Sequence, residues 1–311
     1  MSRYLARRLV MFVPVLLGVT LVTFLVLHLI PGNPARILLF GTNPTAAQVR
    51  QLTDELGLNR PLPVQYGVYL TDLVRGNLGQ SYSTDSPVVS DIAQRLPSTM
   101  ALAGAGMAVA TLVGVPLGVL AGLRPGSLLD RLATSASVVG MAVPYFWLAF
   151  LLILLFAVKL GWLPSLGTGS PQAIVLPALA LGLGFSAILT RLMRASLVEV
   201  YAQPYIELAR SLGLSRRAVL WRHALRNAVL PVVVVLGIEF GTMVSGAVVI
   251  EQIFSRPGLG SFIVTAISNK DIPAVQGSVL VVAVFYLVVN LAVDMLHGVL
   301  DPRVRRAWQR R

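Results

Sequence analysis

Cysteine is absent from this chain of 311 residues, which excludes disulfides, thiolate metal sites and a cysteine nucleophile. Histidine is scarce too: His28, His223 and His297 leave little for metal chemistry. Charged residues make up 12%, against about 25% in a soluble protein. Only Lys159 and Lys270 are lysines, and Leu160 and Asp271 follow them. A Gly-x4-Gly-Lys-Ser/Thr loop to cradle nucleotide phosphates is therefore missing, and the chain does not hydrolyse ATP itself. The His-Glu-x-x-His and Gly-x-Ser-x-Gly signatures are missing as well, which removes the usual marks of an intramembrane hydrolase. The spacing of the apolar runs shows no internal repeat, whereas an ion-coupled carrier normally shows one.

What is abundant is apolar sequence: 56% of residues are hydrophobic and the mean hydropathy is +0.77. Six runs are long enough to cross a bilayer at about 1.5 Å per residue. They are residues 9–30, 98–123, 132–158, 174–190, 228–250 and 277–300. The first follows Arg3, Arg7 and Arg8 but is too long for a signal-peptide core and has no cleavage site, so it reads as a retained anchor. The fourth is the shortest, holds Gly182 and Gly184, and stops at Arg191 and Arg194. The expected fold is an all-α integral membrane protein, a six-transmembrane-helix bundle with a small helical extracytoplasmic subdomain.

The net charge of +12 could suggest nucleic acid, but the basic residues follow topology instead. Seventeen of the 25 lie on the side of the termini: three before the first span, Arg124 and Arg131, seven between Arg191 and Arg226, and five after Asp301. The positive-inside rule then makes both termini cytoplasmic, with the surplus left to meet anionic lipid. The chain divides accordingly. Residues 1–30 hold the cytoplasmic N-terminus and first span, 31–97 an extracytoplasmic helical loop, 98–300 the transmembrane bundle with a cytoplasmic loop at 191–227, and 301–311 a basic tail.

Both loops have helical patterns. In the outer one, Thr45 caps a helix carrying Val49, Leu52 and Leu56 and ending at Gly57. Pro63 to Arg75 forms a second that stops at Gly76, and Ser86 with Pro87 opens a third bearing Val88, Val89, Ile92 and Leu96. Their apolar faces either cover the bundle or receive a partner protein. In the inner loop a short helix ends at Gly213 and another restarts from Ser215 as N-cap, giving an exposed elbow. That shape suits a groove on another protein, with Ile206, Leu208 and Ala209 as anchors.

Inside the spans, Gly114, Gly118 and Gly122 recur every four residues, as do Gly237, Gly241 and Ser245, and each set makes a flat face for close helix contact. Gly182-Leu183-Gly184-Phe185-Ser186-Ala187 resembles a dinucleotide fingerprint but has no strand before it, so it too reads as close packing. Glu239 lies mid-span, where a charge costs about 2.5–3.5 kcal/mol, and roughly opposite the Gly237 face. It is either a pathway residue or a buried structural one. Asn290, Asp294 and His297 share one face of the last span; Asn290 and Asp294 join Glu239 as candidate pathway positions, although a structural role is favoured for them.

The segment Glu207-Leu208-Ala209-x3-Gly213 resembles the EAA-x3-G coupling loop of ATP-binding-cassette importer permeases. Its extension Arg222-His223-Ala224-Leu225-Arg226-Asn227-x3-Pro231 is similar to the dipeptide/oligopeptide/nickel branch, as are Pro31-Gly32-Asn33-Pro34, Gly76-Asn77-Leu78-Gly79, Phe254-Ser255-Arg256-Pro257-Gly258-Leu259-Gly260 and Leu300-Asp301-Pro302-Arg303. The resemblance implies a permease subunit with no cofactor of its own, a homologous second permease, two cytoplasmic ATPases that use ATP and Mg, and an extracytoplasmic solute-binding protein. It implies ATPase coupling through Glu207, Leu208, Ala209, Arg210, Gly213, Arg216 and Arg217. Leu208 departs from the usual alanine, and Glu239 stands where glutamine is usual, which favours a cationic group in the pathway. Peptide import is the leading expectation; nickel or nickel-chelate import and an ion-coupled carrier are the alternatives.

Overall fold

The computed structural model describes residues 2–29, 35–36, 39, 44–55, 57–167 and 169–300. The Pro31–Pro34 motif, Leu56 and the basic tail at 301–311 lie outside the described residues. The elements are helical: α1 (Ser2–Leu29), α2 (Ala46–Glu55), α3 (Leu62–Val74), α4 (Val88–Leu123), α5 (Leu128–Ala142), α6 (Tyr145–Lys159), α7 (Val175–Tyr201), α8 (Pro204–Ser211), α9 (Arg216–Ile253), α10 (Leu259–Ser268) and α11 (Ile272–Leu300). Among the described residues no strand forms. Five helices are long and apolar enough to cross a membrane, and α5 with α6 makes a sixth span if counted as one.

That pair corrects the continuous helix expected over 132–158. The chain bends by 101° between α5 and α6. Val143 closes α5 in an extended conformation (ψ 119°), as a residue before proline prefers, and Pro144 starts α6. Two other boundaries differ. The helix opened at Ser86-Pro87 does not end before the second span but runs through Pro97 as one helix of 36 residues. The fourth span is not the weakest: 61% of its apolar window is buried, against 33% or less in the other four single spans.

Two compact units divide the chain, and the first comprises Thr99–Arg256 and Val288–Arg311 with Met1. Here α4 and α7 meet backbone to backbone. A Cβ on Gly114 would lie 2.6 Å from the Ser186 carbonyl oxygen, and one on Gly118 would lie 2.6 Å from that of Thr190. A Cβ on Gly122 would press on Leu197 at 3.1 Å, and Gly182 faces the Gly106 carbonyl in the same way. Both glycine patterns therefore serve close packing. Deeper in this unit Glu251 is fully buried and accepts a hydrogen bond from Thr99 Oγ1 at 2.6 Å.

The second unit comprises Ser2–Ser98 and Pro257–Leu287. It contains α1 to α3, the first turns of α4, α10, which the sequence reading did not anticipate, and the first half of α11. Thr45 and Gln48 form a reciprocal cap on α2: Thr45 Oγ1 accepts from the Gln48 amide (3.3 Å) and Gln48 Oε1 from the Thr45 amide (2.9 Å). Val88, Ile92, Leu259, Phe262, Ala274 and Val275 form the unit's apolar core. Asp271, fully buried, accepts from Ser81 Oγ (2.6 Å) and from the amides of Ser83 (3.0 Å) and Ala274 (3.2 Å), fixing the start of α11.

The glycine contact gives a stability prediction. Gly118→Val must drive α4 off α7 and should cost about 1–3 kcal/mol, read as a lower thermal midpoint of the detergent-purified chain. Gly104→Ala, where a Cβ meets nothing within 4 Å, should leave the midpoint unchanged or slightly raised.

Candidate functional site

The segment after α7 is built by local rules. α7 ends at Tyr201, Gln203 takes an extended conformation (ψ 141°), and Pro204 starts α8 with its ring-fixed φ. Gly213 (φ +82°) closes α8: its amide donates to the Arg210 carbonyl (3.0 Å) and the Leu214 amide donates to that of Ala209 (3.3 Å). This is the paired hydrogen bond of a left-handed helix stop. Ser215 then caps α9, its Oγ accepting from the Ala218 amide at 3.3 Å. The elbow expected at residues 213–215 is present, although the segment outside the long helices is only 202–215 rather than the whole of 191–227.

An eight-residue helix is too short to be stable by itself. Ile206 (0% exposed) and Ala209 (6% exposed) anchor it inward on its own unit. Arg210 stacks its guanidinium over the Tyr201 ring at 5.0 Å, and Asn227 Nδ2 donates to the Tyr205 hydroxyl at 3.0 Å. Two of the three expected docking anchors are thus positioning residues, since the i, i+3 pair faces the fold. The outward face carries Glu207, Leu208 (59% exposed), Arg210 and Leu212, followed by exposed Gly213, Arg216 and Arg217.

The intramembrane positions are less concentrated. Gly237 on α9 lies so near Val293 on α11 that a Cβ would overlap its side chain. Glu239, about 200° further round α9, is half-buried, and no hydrogen bond joins it to Asn290 among the described residues. Asn290 and Asp294 are half-buried on α11, and Asp294 is engaged with a neighbour. The His297 side chain lies outside the described set.

Sequence reasoning missed Asp130. It lies in the first turn of α5, behind Ser127 as N-cap, and is 3% exposed. Arg194 of α7 holds it through two contacts, Nε to Oδ1 and Nη2 to Oδ2 (2.8 Å), and the Gly126 amide donates to Oδ2 at 2.8 Å. The bidentate pair pins the 124–127 turn to α7 seven residues before that helix ends. The local spacing Ser127-x-x-Asp130 is the signal that could have shown the cap, but nothing local points to a partner 64 residues away. Among the described residues no group of three or more His, Cys, Asp or Glu could hold a metal.

These features describe a polytopic transport protein with an ATP-binding-cassette importer fold. An inward-facing structure of the MetNI methionine ABC transporter covers 68% of this chain and 96% of its own, with a TM-score of 0.57 at 21% identity. A solved amino acid ABC transporter has a TM-score of 0.51 at 20% identity, covering 69% of this chain and 94% of its own. Those likenesses concern the fold alone. Residues 114–306 match the binding-protein-dependent transport system inner membrane component, and residues 1–103 match the N-terminal region of the membrane component of such systems. The chain belongs to this family of binding-protein-dependent inner-membrane components. It is 37% identical to the dipeptide transport system permease protein DppB of Alkalihalophilus pseudofirmus, over 98% of this chain and all of that one. Identity to the glutathione transport system permease protein GsiC of Pectobacterium atrosepticum, and to DppB of Escherichia coli K12, is also 37%, over 98% of this chain and 99% of each. It is a multi-pass inner-membrane permease subunit, not an enzyme, and works with ABC ATPase and solute-binding partners.

Removing either half of the Asp130–Arg194 pair should be unequal. Arg194→Met leaves a buried carboxylate without its cation and should cost about 3 kcal/mol. Asp130→Asn leaves a guanidinium a third exposed to solvent, discounted to about 1 kcal/mol. Urea or thermal denaturation in detergent would rank the two.

Proposed function

We propose that this chain is one of two homologous permease subunits of an ATP-driven importer of di- and oligopeptides, with both termini cytoplasmic. The near end-to-end likeness to permeases named for dipeptide and glutathione transport carries this reading. Two cytoplasmic ATPases receive α8 in a groove between their lobes. The exposed face supports that role, because Leu208 and Leu212 offer apolar knobs beside the charges of Glu207 and Arg210. Arg216 and Arg217 sit at the start of a helix, where cations oppose the macrodipole, so they do not serve the helix itself. Both face anionic surface on the ATPase or the inner leaflet.

ATP-driven closure of the ATPases moves α8, and the well-packed bundle responds as a body so that the cavity opens outward; hydrolysis returns it inward. Differential contacts of α8 in the two states supply the work. An extracytoplasmic binding protein delivers the peptide. Glu239 lines the pathway, supported by its mid-span position, its half-burial and its place opposite the Gly237 face, and it meets the peptide's positive groups.

Gly213→Val tests the coupling arm. A Cβ there meets nothing within 4 Å, so the change acts only through the left-handed backbone. The complex should retain ATPase activity but lose most peptide-dependent stimulation and uptake; full uptake would sink the proposal. For the pathway arm, Glu239→Gln should lower uptake of lysyl-alanine about ten-fold relative to dialanine. Unchanged uptake of both dipeptides would place Glu239 outside the pathway.

A further inference from the structure

The second unit contains a groove of about 230 Å³ with a mixed polar and apolar lining that the coupling argument does not use. One wall is a single stripe of α3, where Gln65, Val68, Tyr69 and Asp72 recur at helical spacing. Seven residues of helix make that stripe about 10 Å long. The ends carry opposite charge. Gln65 Nε2 donates to the Arg60 carbonyl (2.7 Å) and the Leu58 carbonyl (3.1 Å), which fixes Arg60 at one end, while Asp72 lines the other.

The interior holds polar groups that the chain leaves unserved. Gln276 of α11 is 7% exposed and lines the groove, and among the described residues its side-chain amide makes no hydrogen bond. The Tyr69 hydroxyl is closed off from solvent and likewise has no partner. Burial, with a smaller contribution from Tyr66, pushes the Tyr69 phenol up to about 12, and burial then Asp271 does the same for Tyr82. Both therefore stay neutral donors at physiological pH. A donor left unsatisfied is costly, so an amide facing a groove is held for something that enters it.

The frame is rigid. The Phe24 and His28 rings lie 4.0 Å apart between centroids, tilted by 33°, and His28 is tied through its two ring nitrogens to the Phe24 carbonyl (2.7 Å) and Gln65 Oε1 (3.1 Å). Thr20 Oγ1 and the Tyr66 hydroxyl share a hydrogen bond of 3.0 Å. These contacts lock α1 to α3 and leave the groove preorganised.

We propose that this groove binds a short extended peptide with free ends, its carboxylate at Arg60, its ammonium at Asp72, and its backbone amide on the Gln276 side chain. An extended chain advances about 3.3–3.6 Å per residue, so about 10 Å accepts a di- or tripeptide and excludes longer ones with both ends engaged. A free amino acid cannot reach both charges. The groove is formed by the end of α1, the segment between the first two spans and the start of α11, and Glu239 is not part of its lining. This rests on the peptide-import reading and adds a length filter to it.

The test uses the assembled transporter without its binding protein. Trialanine binding is measured by calorimetry beside the doubly capped N-acetyl-trialanine-amide, and uptake is measured in proteoliposomes with the binding protein restored. Trialanine should bind at least ten-fold tighter than the capped peptide, and Asp72→Asn and Arg60→Gln should each remove most of that difference. Both side chains reach solvent, so neither variant threatens folding, and an unchanged thermal midpoint would verify that. Trialanine binding no tighter than the capped peptide, or unaltered in both variants while wild-type uptake continues, would overturn the groove. Absence of uptake of any peptide by the wild-type complex would instead overturn the peptide-import reading beneath it.

Discussion

Glycine at every fourth position of α4 lets its backbone rest on that of α7, and much of the first unit follows from that contact. A side chain at Gly114 or Gly118 would have to occupy space already held by the carbonyls of Ser186 and Thr190. In lipid there is little hydrophobic drive between helices, so close approach and the dispersion it gains do the work that burial does in water. The approach makes α7 the most enclosed span, and an enclosed helix can carry polar side chains that a lipid-facing one cannot. Thr190 returns its hydroxyl to the Ser186 carbonyl, and Arg194 finds Asp130. The helix thereby extends past the point where its apolar run ends and delivers Tyr201 to the place where α8 needs a support.

Local rules were legible in the sequence wherever a few adjacent residues decide the backbone. The stop at Gly213, the restart at Ser215 and the reciprocal cap of Thr45 with Gln48 all depend on groups within three or four positions. The family resemblance covered nearly the whole chain because its motifs sit at such turns. Proline was a poorer guide. Pro97, Pro116 and Pro231 are carried inside long helices, whereas Pro144 breaks a span. The difference lies with the conformation of the preceding residue and the neighbours that accept the freed carbonyls, neither of which composition reveals.

What could not be read was contact across the sequence. The Asp130–Arg194 pair spans 64 positions and the Ser81–Asp271 bond 190. The inward face of α8 was misjudged for a related reason. Hydrophobicity marks Ile206, Leu208 and Ala209 alike, but only the packing of a short helix on its own unit says that Ile206 and Ala209 turn in and Leu208 turns out. The same blindness hid Gln276, which reads as an ordinary polar residue at the head of a span until its burial in the groove is seen.

The arrangement also limits how a push on α8 could travel. The Arg210–Tyr201 stack binds it to the end of α7, which is held along its length by α4 and at Arg194 by the α5 turn. Displacement on that side must move α4, α5 and α7 together. On the other side α8 leads through Gly213 into α9, and Val219–Ala224 runs as a π-helical stretch before the regular helix resumes. Such stretches carry wider hydrogen-bond rings and absorb small changes in helix register at modest cost. The two outlets therefore differ in build, a regular helix towards α7 and a π-helical stretch towards α9, while Asn227 ties Tyr205 of α8 to α9 and α9 packs extensively on α7. Under the proposed coupling, ATP-driven motion reaches α4, α5, α7 and α9 as one packed body, and the π-helical stretch is where the register of α9 can adjust within it. Such an adjustment turns Glu239 about the axis of α9, which is what the proposed pathway requires in order to face the two sides of the membrane in turn.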